Sequence, residues 1–293
     1  MNRNSTKSRA IEALGATVRS TQPGLAWHEN PRYAATYLSD PEDNVLPHLR
    51  EAFWPQAKQE LLAGDGSELT PNGTPAKFSA AHSSSGLGVN SFAPWRGRSQ
   101  DLVLSGFTNF NGPLEFERKC PHGFQGKAPN LDVLLEDGTA VYGVESKLTE
   151  WLVPSHGVFS DKYVSIPDTD PRKDTAWYRA MMLAREKPET FAHLNAAQLI
   201  KHFYGLAREF EGRPVRVVYI YWEPVNADDF PEFAAHRAEI EKFASLVQGD
   251  DDKNLFESLS YLEHWHELSA IADPPSWLPE HLAAVRDRYE IEI

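Results

Sequence analysis

Cysteine is almost absent from this sequence: Cys120 stands alone among 293 residues. One thiol cannot close an intramolecular disulfide and cannot build a zinc centre of the multi-cysteine kind. A fold without covalent staples, in a reducing, cytoplasmic setting, is therefore expected. Long apolar runs are missing as well. None reaches the ~20 residues that span a bilayer, so no membrane partner is expected. The N-terminal MNRNSTKSRAIEALGA is basic but has no uninterrupted apolar segment, so no signal peptide is expected. Positive charge is scarce, with 29 lysines and arginines against 42 aspartates and glutamates and a net charge of −13. That excludes a wholly basic, histone-like binder of nucleic acid and leaves room only for a local basic groove. Internal repeats and low-complexity tracts are also absent.

What remains has the composition of an ordinary folded protein, with 41% hydrophobic residues, 24% charged residues and eight tryptophans. Residues 1–20 read as a loose helix. Residues 45–62 carry apolar side chains at helical spacing, with Gly64 and Gly66 just past the end. The stretch 64–76 reads as a loop and 77–100 as irregular. Strands are expected at 101–105 and 113–119, helices at 172–187 and 194–211, and an apolar, doubly covered strand at 214–222. A helix at 227–247, an acidic turn at 249–252, a short strand near 255–262 and a helix near 278–289 follow. The order predicts a mixed α/β layer structure around one main sheet.

The centre of the chain reads LDVLLEDGTAVYGVESK. Two apolar, β-rich runs flank Asp137-Gly138, a strong hairpin signal. A two-residue turn there sets Glu136 opposite Thr139 and Asp132 opposite Gly143. Asp132, Glu145 and Lys147 then share one face, the two carboxylates being diagonal neighbours ~7–8 Å apart at the backbone. Two carboxylates so placed can hold Mg²⁺ or Mn²⁺, with waters completing the shell. Lys147 can orient an attacking water or stabilise charge growing on a phosphate oxygen. Gly143 is expected to leave room for the ion.

Asp132, twelve intervening residues and Glu145-Ser146-Lys147 resemble the active-site signature of the PD-(D/E)XK nuclease superfamily, with Asn130-Leu131-Asp132 in place of the usual Pro-Asp. Further features resemble one bacterial, restriction-endonuclease-like group within it: Ser84-Ser85, Asn90-Ser-Phe92-Ala-Pro94, Leu114-Glu115-Phe116-Glu117, Pro129-Asn130-Leu131-Asp132, Glu150, Gln198-Leu-Ile-Lys201-His202 and Arg288-Tyr289. The resemblance implies an αβββαβ core with a mixed central sheet flanked by helices, plus helical additions at both ends. The resemblance spans roughly residues 78–222, with an echo at Arg288-Tyr289; a single domain over residues 1–293 is expected, with its core at about 45–222 and a helix-rich extension at 223–293. The resemblance further implies hydrolysis of phosphodiesters. The reading adopted is a Mg²⁺- or Mn²⁺-dependent nuclease acting on DNA, with a homodimer as one route to cutting both strands. Asp132, Glu145 and the Ser146 carbonyl are the expected metal ligands.

The chain holds three [D/E]-x-K triplets: Glu117-Arg-Lys119, Glu145-Ser-Lys147 and Asp251-Asp-Lys253. Only the second follows an apolar strand whose hairpin partner carries an aspartate. Gln198 and His202 lie one helical turn apart and share a face. Gln198 is expected at the metal site, with Lys201 or His202 on a phosphate; the alternative is an ordinary half-exposed helix face. Glu115 and Glu117 share a strand face by alternation. The alternative for either is a solvated strand face, and Glu117 is favoured as a third carboxylate. Glu150 has a site role or a surface ion pair. Ser84, Ser85 and Asn90 are expected to donate hydrogen bonds to a phosphate backbone or to order their loop. His82 beside Ser83–Ser85 lacks the makings of a triad, and Gly86-Leu-Gly88 is too short for a nucleotide loop. Tyr219, Tyr221 and Trp222 are expected in the core. Arg172, Lys173, Arg179, Arg185 and Lys187 are one candidate for the missing basic patch. The competing class is a nuclease fold kept as a silent binding or scaffold module. A glycosidase leaves Lys147 without a task.

Overall fold

The charged strand end at 145–147 lies at the middle of a five-stranded sheet. The computed structural model describes residues 5–293 except 65–66, 125–127, 158, 160, 164–165 and 249–253. Gly66, the 249–252 turn and the Asp251-Asp-Lys253 triplet fall outside the described residues. The strands are β1 (Glu115–Lys119), β2 (Asn130–Glu136), β3 (Val141–Lys147), β4 (Val215–Tyr221) and β5 (Asn254–Ser260), paired in that order. β1, β2 and β3 run antiparallel; β3, β4 and β5 run parallel. This is the mixed sheet expected from the sequence. The 223–293 segment is more than helical, because β5 joins the sheet beside β4.

The helices are α1 (Thr6–Thr21), α2 (Pro47–Arg50), α3 (Trp54–Ala63), α4 (Ser84–Phe92), α5 (Ala176–Glu186), α6 (Ala196–Glu209), α7 (Pro231–Val247), α8 (Tyr261–Ser269) and α9 (Leu278–Tyr289). The helix expected over 45–62 is broken into α2 and α3. Pro55 cannot donate to a preceding carbonyl, so it sits in the first turn of a new helix. The 172–187 helix begins at Ala176, where Thr175 caps Tyr178 N–H, after a short turn at Pro171–Asp174. Two expectations fail. Residues 77–100 are not irregular, because Ser83 caps α4 through Gly86 N–H and the helix buries Leu87, Val89 and Phe92. Residues 101–105 are not a strand; one isolated bridge pairs Leu104 with Phe107. α8 is a helix not expected from the sequence, and Ser260 and Glu263 form a reciprocal capping box at its start.

Alternation along the strands builds two cores. Val133, Leu135, Tyr142, Val144, Val218, Ile220 and Trp222 pack against α3, α4, α8 and α9. Leu134, Val141, Val215, Val217, Tyr219 and Tyr221 pack against α5, α6 and α7. β4 is thus covered on both faces, which is why its sequence is almost wholly apolar. Tyr219, Tyr221 and Trp222 are core residues, as expected.

The hairpin register differs from the two-residue turn. Glu136 faces Val141, and Leu134 faces Gly143. Asp137 causes the longer loop. Its Oδ1 accepts from Thr139 N–H and Ala140 N–H, both at 2.6 Å, and its Oδ2 accepts from the Tyr142 hydroxyl at 2.6 Å. Arg213 closes the loop by donating to the carbonyls of Asp137 and Ala140. The slip is by two residues, so facing partners keep the expected parity along the paired stretch.

Candidate active site

The same slip brings the carboxylates together. The paired ladder stops at Val133 and Val144; just past it Asp132 lies close enough to Glu145 for that charge to act on it. On the other side, Phe116 pairs with Val133 and Arg118 with Leu131, which sets Glu117 opposite Asp132. Glu117, Asp132 and Glu145 therefore form one cross-strand row. Gly143 does not sit opposite Asp132 and leaves no room for an ion. A Cβ there would lie 2.6 Å from Leu206 Cδ1 and 2.8 Å from Leu131 Cδ2, so the glycine admits α6 instead.

Each carboxylate is held differently. The β2–β3 ladder ends above Asp132, whose Oδ2 accepts from Ser146 N–H at 2.7 Å. Burial, then the Glu145 charge, raises the Asp132 pKa well above the carboxylate range; Lys147 and the Ser146 N–H oppose this. Glu145 is only 1% exposed. Its Oε1 contacts the Lys147 ammonium and its Oε2 is bonded to His202 Nε2 at 2.7 Å. Burial acts to raise its pKa, but Lys147 and His202 outweigh it and leave Glu145 below its usual value. Burial likewise works against the Lys147 charge, and Glu145, Asp132 and Glu150 overcome it, so Lys147 stays an ammonium.

Glu117 has φ +53°, a left-handed conformation uncommon for glutamate. The inversion breaks the alternation from which Glu115 and Glu117 were placed on one face. Glu115 turns to Arg118, which also holds Glu209. Glu117 turns into the cleft and accepts from Asn130 Nδ2 at 2.7 Å. Burial raises its pKa to about 7, with the Glu68 and Glu145 charges adding and Asn130 opposing.

Glu117 and Asp132 lie on the floor of a cavity of about 530 Å³, with Glu145 buried behind them. Glu117, Asp132, Lys147, Glu150 and Gln198 line one side. Lys7 of α1, Glu68, Lys77 and the α4 residues Ser84 and Ser85 line the other. Sequence periodicity gives no sign of Lys7, Glu68 and Lys77, because tertiary packing alone brings them to the strand ends. Ser85 donates to Glu68 Oε2 at 3.1 Å, and Lys77 pairs with Glu68 Oε1 at 3.1 Å. Glu150 accepts from Leu148 N–H at 2.9 Å. His82 also faces the cavity, and burial lowers its pKa to about 4, so it is neutral.

Other expected site residues lie elsewhere. Asn90 is 0% exposed. It accepts from Leu46 N–H and donates to the Asn44 carbonyl and the Tyr289 hydroxyl, so it braces α4 and cannot reach a phosphate. His202 is 1% exposed and equally unable to touch substrate. Lys201 opens onto a second cavity that shares Gln198, with its ammonium 5.6 Å from the Phe159 ring centre and 5.4 Å from that of Tyr163. The basic helix is largely neutralised: Arg172 pairs with Asp170, Lys173 with Asp168 and Arg185 with Asp161, while Arg179 donates to the Asp174 carbonyl.

Among the described residues, no three side chains of histidine, cysteine, aspartate or glutamate are grouped so as to enclose a metal by themselves. Also among them, no helix is long and apolar enough to cross a membrane. No curated protein and no solved structure matches the chain. A family model described as Restriction Endonuclease associating with ARP matches residues 13–290. With that match running nearly end to end, over a mixed sheet flanked by helices, the chain belongs to this restriction-endonuclease-like family.

Proposed function

We propose that this protein is a nuclease that hydrolyses DNA phosphodiester bonds with a divalent metal, Mg²⁺ or Mn²⁺, held by Asp132, Glu145 and the Ser146 carbonyl. The observation that carries the reading is the Glu117–Asp132–Glu145 row with Lys147 at its edge. Among the described residues lining the cleft, four are carboxylates (Glu68, Glu117, Asp132, Glu150) and three are lysines (Lys7, Lys77, Lys147). With all four ionised the carboxylates outnumber the lysines, so a bound divalent cation would favour the approach of a phosphodiester. The Asp132 pKa is raised first by burial and then by the Glu145 charge.

The donors fit the ion. Mg²⁺ is commonly held through one or two carboxylates, keeping several waters, so a side-chain cluster of three is not required. Lys147 O accepts from Trp222 N–H at 2.9 Å on the β4 side. Alternate residues of a strand turn to opposite neighbours, so the peptide groups of Ser146 face β2 and Asp132. When bound, the metal supplies Lewis acidity toward a phosphate oxygen and lowers the pKa of its water. The chain's own residues do the rest. Lys147, fixed as an ammonium, orients the water or stabilises developing phosphate charge. Gln198 flanks the same floor. Ser84 offers a donor from the opposite wall, where Ser85 is engaged with Glu68, and Glu117 is the third carboxylate.

The family's description names an association with ARP, which enters this reading as a partner. The test is cleavage of plasmid, linear and single-stranded DNA, and of RNA, with Mg²⁺ or Mn²⁺ and with EDTA as control. Metal-dependent DNA cleavage supports the proposal. Binding of DNA without cleavage supports the silent scaffold instead.

A further inference from the structure

We infer that His202 is a positioning residue: through its hydrogen bond to Glu145 Oε2 it fixes the carboxylate so that Oε1 is the oxygen offered to the metal. The inference rests on the metal-dependent reading above. It gives His202 a different task from the phosphate contact that its sequence position suggested.

A buried carboxylate needs donors, and Glu145 is sealed from solvent. Its two oxygens are not equivalent. Oε1 faces Lys147, whose side chain is partly exposed and lines the cleft. Oε2 points the other way, to the His202 ring on α6, itself 1% exposed. Nδ1 of His202 is buried and has no hydrogen-bond partner among the described residues. An ionised carboxylate can only accept, so Nε2 carries the proton and donates it. One donor on Oε2 sets the plane of the carboxylate and leaves Oε1, itself buried, turned toward Lys147, which lines the cleft.

The helix that bears His202 is held close against the sheet. Asn195 caps it by accepting from Gln198 N–H at 3.1 Å. Gly205, one turn beyond Lys201, lies against β1's end: a Cβ there would meet Cys120 O at 2.3 Å. On the strand, Gly143 admits Leu206. Two glycines thus let α6 approach from both directions, and the approach sets His202 within hydrogen-bond reach of Glu145. Partners behind a metal-binding carboxylate typically matter ~10–100-fold in metal affinity.

The experiment compares wild type with His202→Leu, His202→Gln and His202→Asn. Mn²⁺ and Mg²⁺ are titrated by calorimetry, and each protein is melted in EDTA and in excess metal. The Leu variant should lose ~10–100-fold in Mn²⁺ affinity. The Gln variant, whose amide N–H can reach Glu145, should retain most of it. The shorter Asn variant should lose it, although its polarity and folding burden are close to those of Gln. The metal-induced rise in melting temperature should follow the same order, whatever the melting temperatures in EDTA. If Leu, or Asn and Gln alike, bind metal as wild type does, the inference is overturned while the metal reading stands. If wild type binds neither metal, the metal reading falls and this inference with it.

Discussion

Ser146 N–H donates to Asp132 Oδ2 at 2.7 Å, at the point where the β2–β3 ladder stops. A side chain has taken the place of a backbone acceptor. This fixes the Asp132 carboxylate against the peptide of the expected metal-binding residue. Asp132→Ala removes both the charge and the acceptor. Calorimetry with Mg²⁺ or Mn²⁺ should show binding by wild type and severe weakening in the variant. Equal affinities would remove Asp132 from the ligand set.

Glu117 gives the site a pH signature. Its folded pKa, about 7, lies above the ordinary glutamate value of 4.5. A raised carboxyl pKa favours folding at low pH, where the group is protonated. That advantage is lost as pH rises from about 4.5 through about 7. In EDTA the protein should therefore lose stability across this window. Glu117→Gln should flatten the loss and raise the melting temperature at pH 8, by up to ~1–3 kcal/mol equivalent, with little change at pH 4.5. Melts at both pH values check it. A variant no more stable than wild type at pH 8 contradicts a strained, charged Glu117.

The pattern of success in reading the sequence has a physical basis. β2, β3, β4 and α9 were legible because hydrophobic period and turn chemistry are local. Glu145-Ser146-Lys147 was legible for the same reason: charges at the end of an apolar strand conflict with burial unless paired. The register was not, because Arg213 closes the hairpin loop from the far end of α6. α4 was hidden by serines and glycines that read as loop, although Ser83 and the buried Leu87, Val89 and Phe92 hold it as a helix. His202 was expected on a phosphate or an exposed face because polarity in sequence suggests exposure, whereas Asn90 takes the second of its two expected roles and orders its surroundings. Both are buried with hydrogen-bond partners that no spacing rule encodes.

Gly143 tests the packing that seats α6. A methyl group there would enter space held by Leu206 and Leu131, with the closest approach at 2.6 Å. Overpacking of this kind typically costs ~1–3 kcal/mol. Gly143→Ala should lower the melting temperature in EDTA and, by displacing α6, weaken metal binding as well. A variant as stable as wild type would show that α6 can shift freely.

Lys147 decides between chemistry and architecture. In the absence of metal its ammonium is the main positive charge facing Glu145 and Asp132. Lys147→Ala leaves two close, partly buried carboxylates uncompensated, and removing one partner of a buried ion pair commonly costs ~3–5 kcal/mol. The variant should therefore melt lower than wild type in EDTA and recover on addition of Mg²⁺. If Lys147 also orients water or stabilises the phosphate charge, the metal-loaded, restabilised variant should still cleave DNA ~10²–10³-fold more slowly. Arginine should rescue poorly, because a planar guanidinium does not replace a compact ammonium at a crowded site. Melting and cleavage are measured on the same preparations. Stability restored by metal with activity still lost supports a chemical role. Full activity in the restabilised variant would reduce Lys147 to a structural counter-ion.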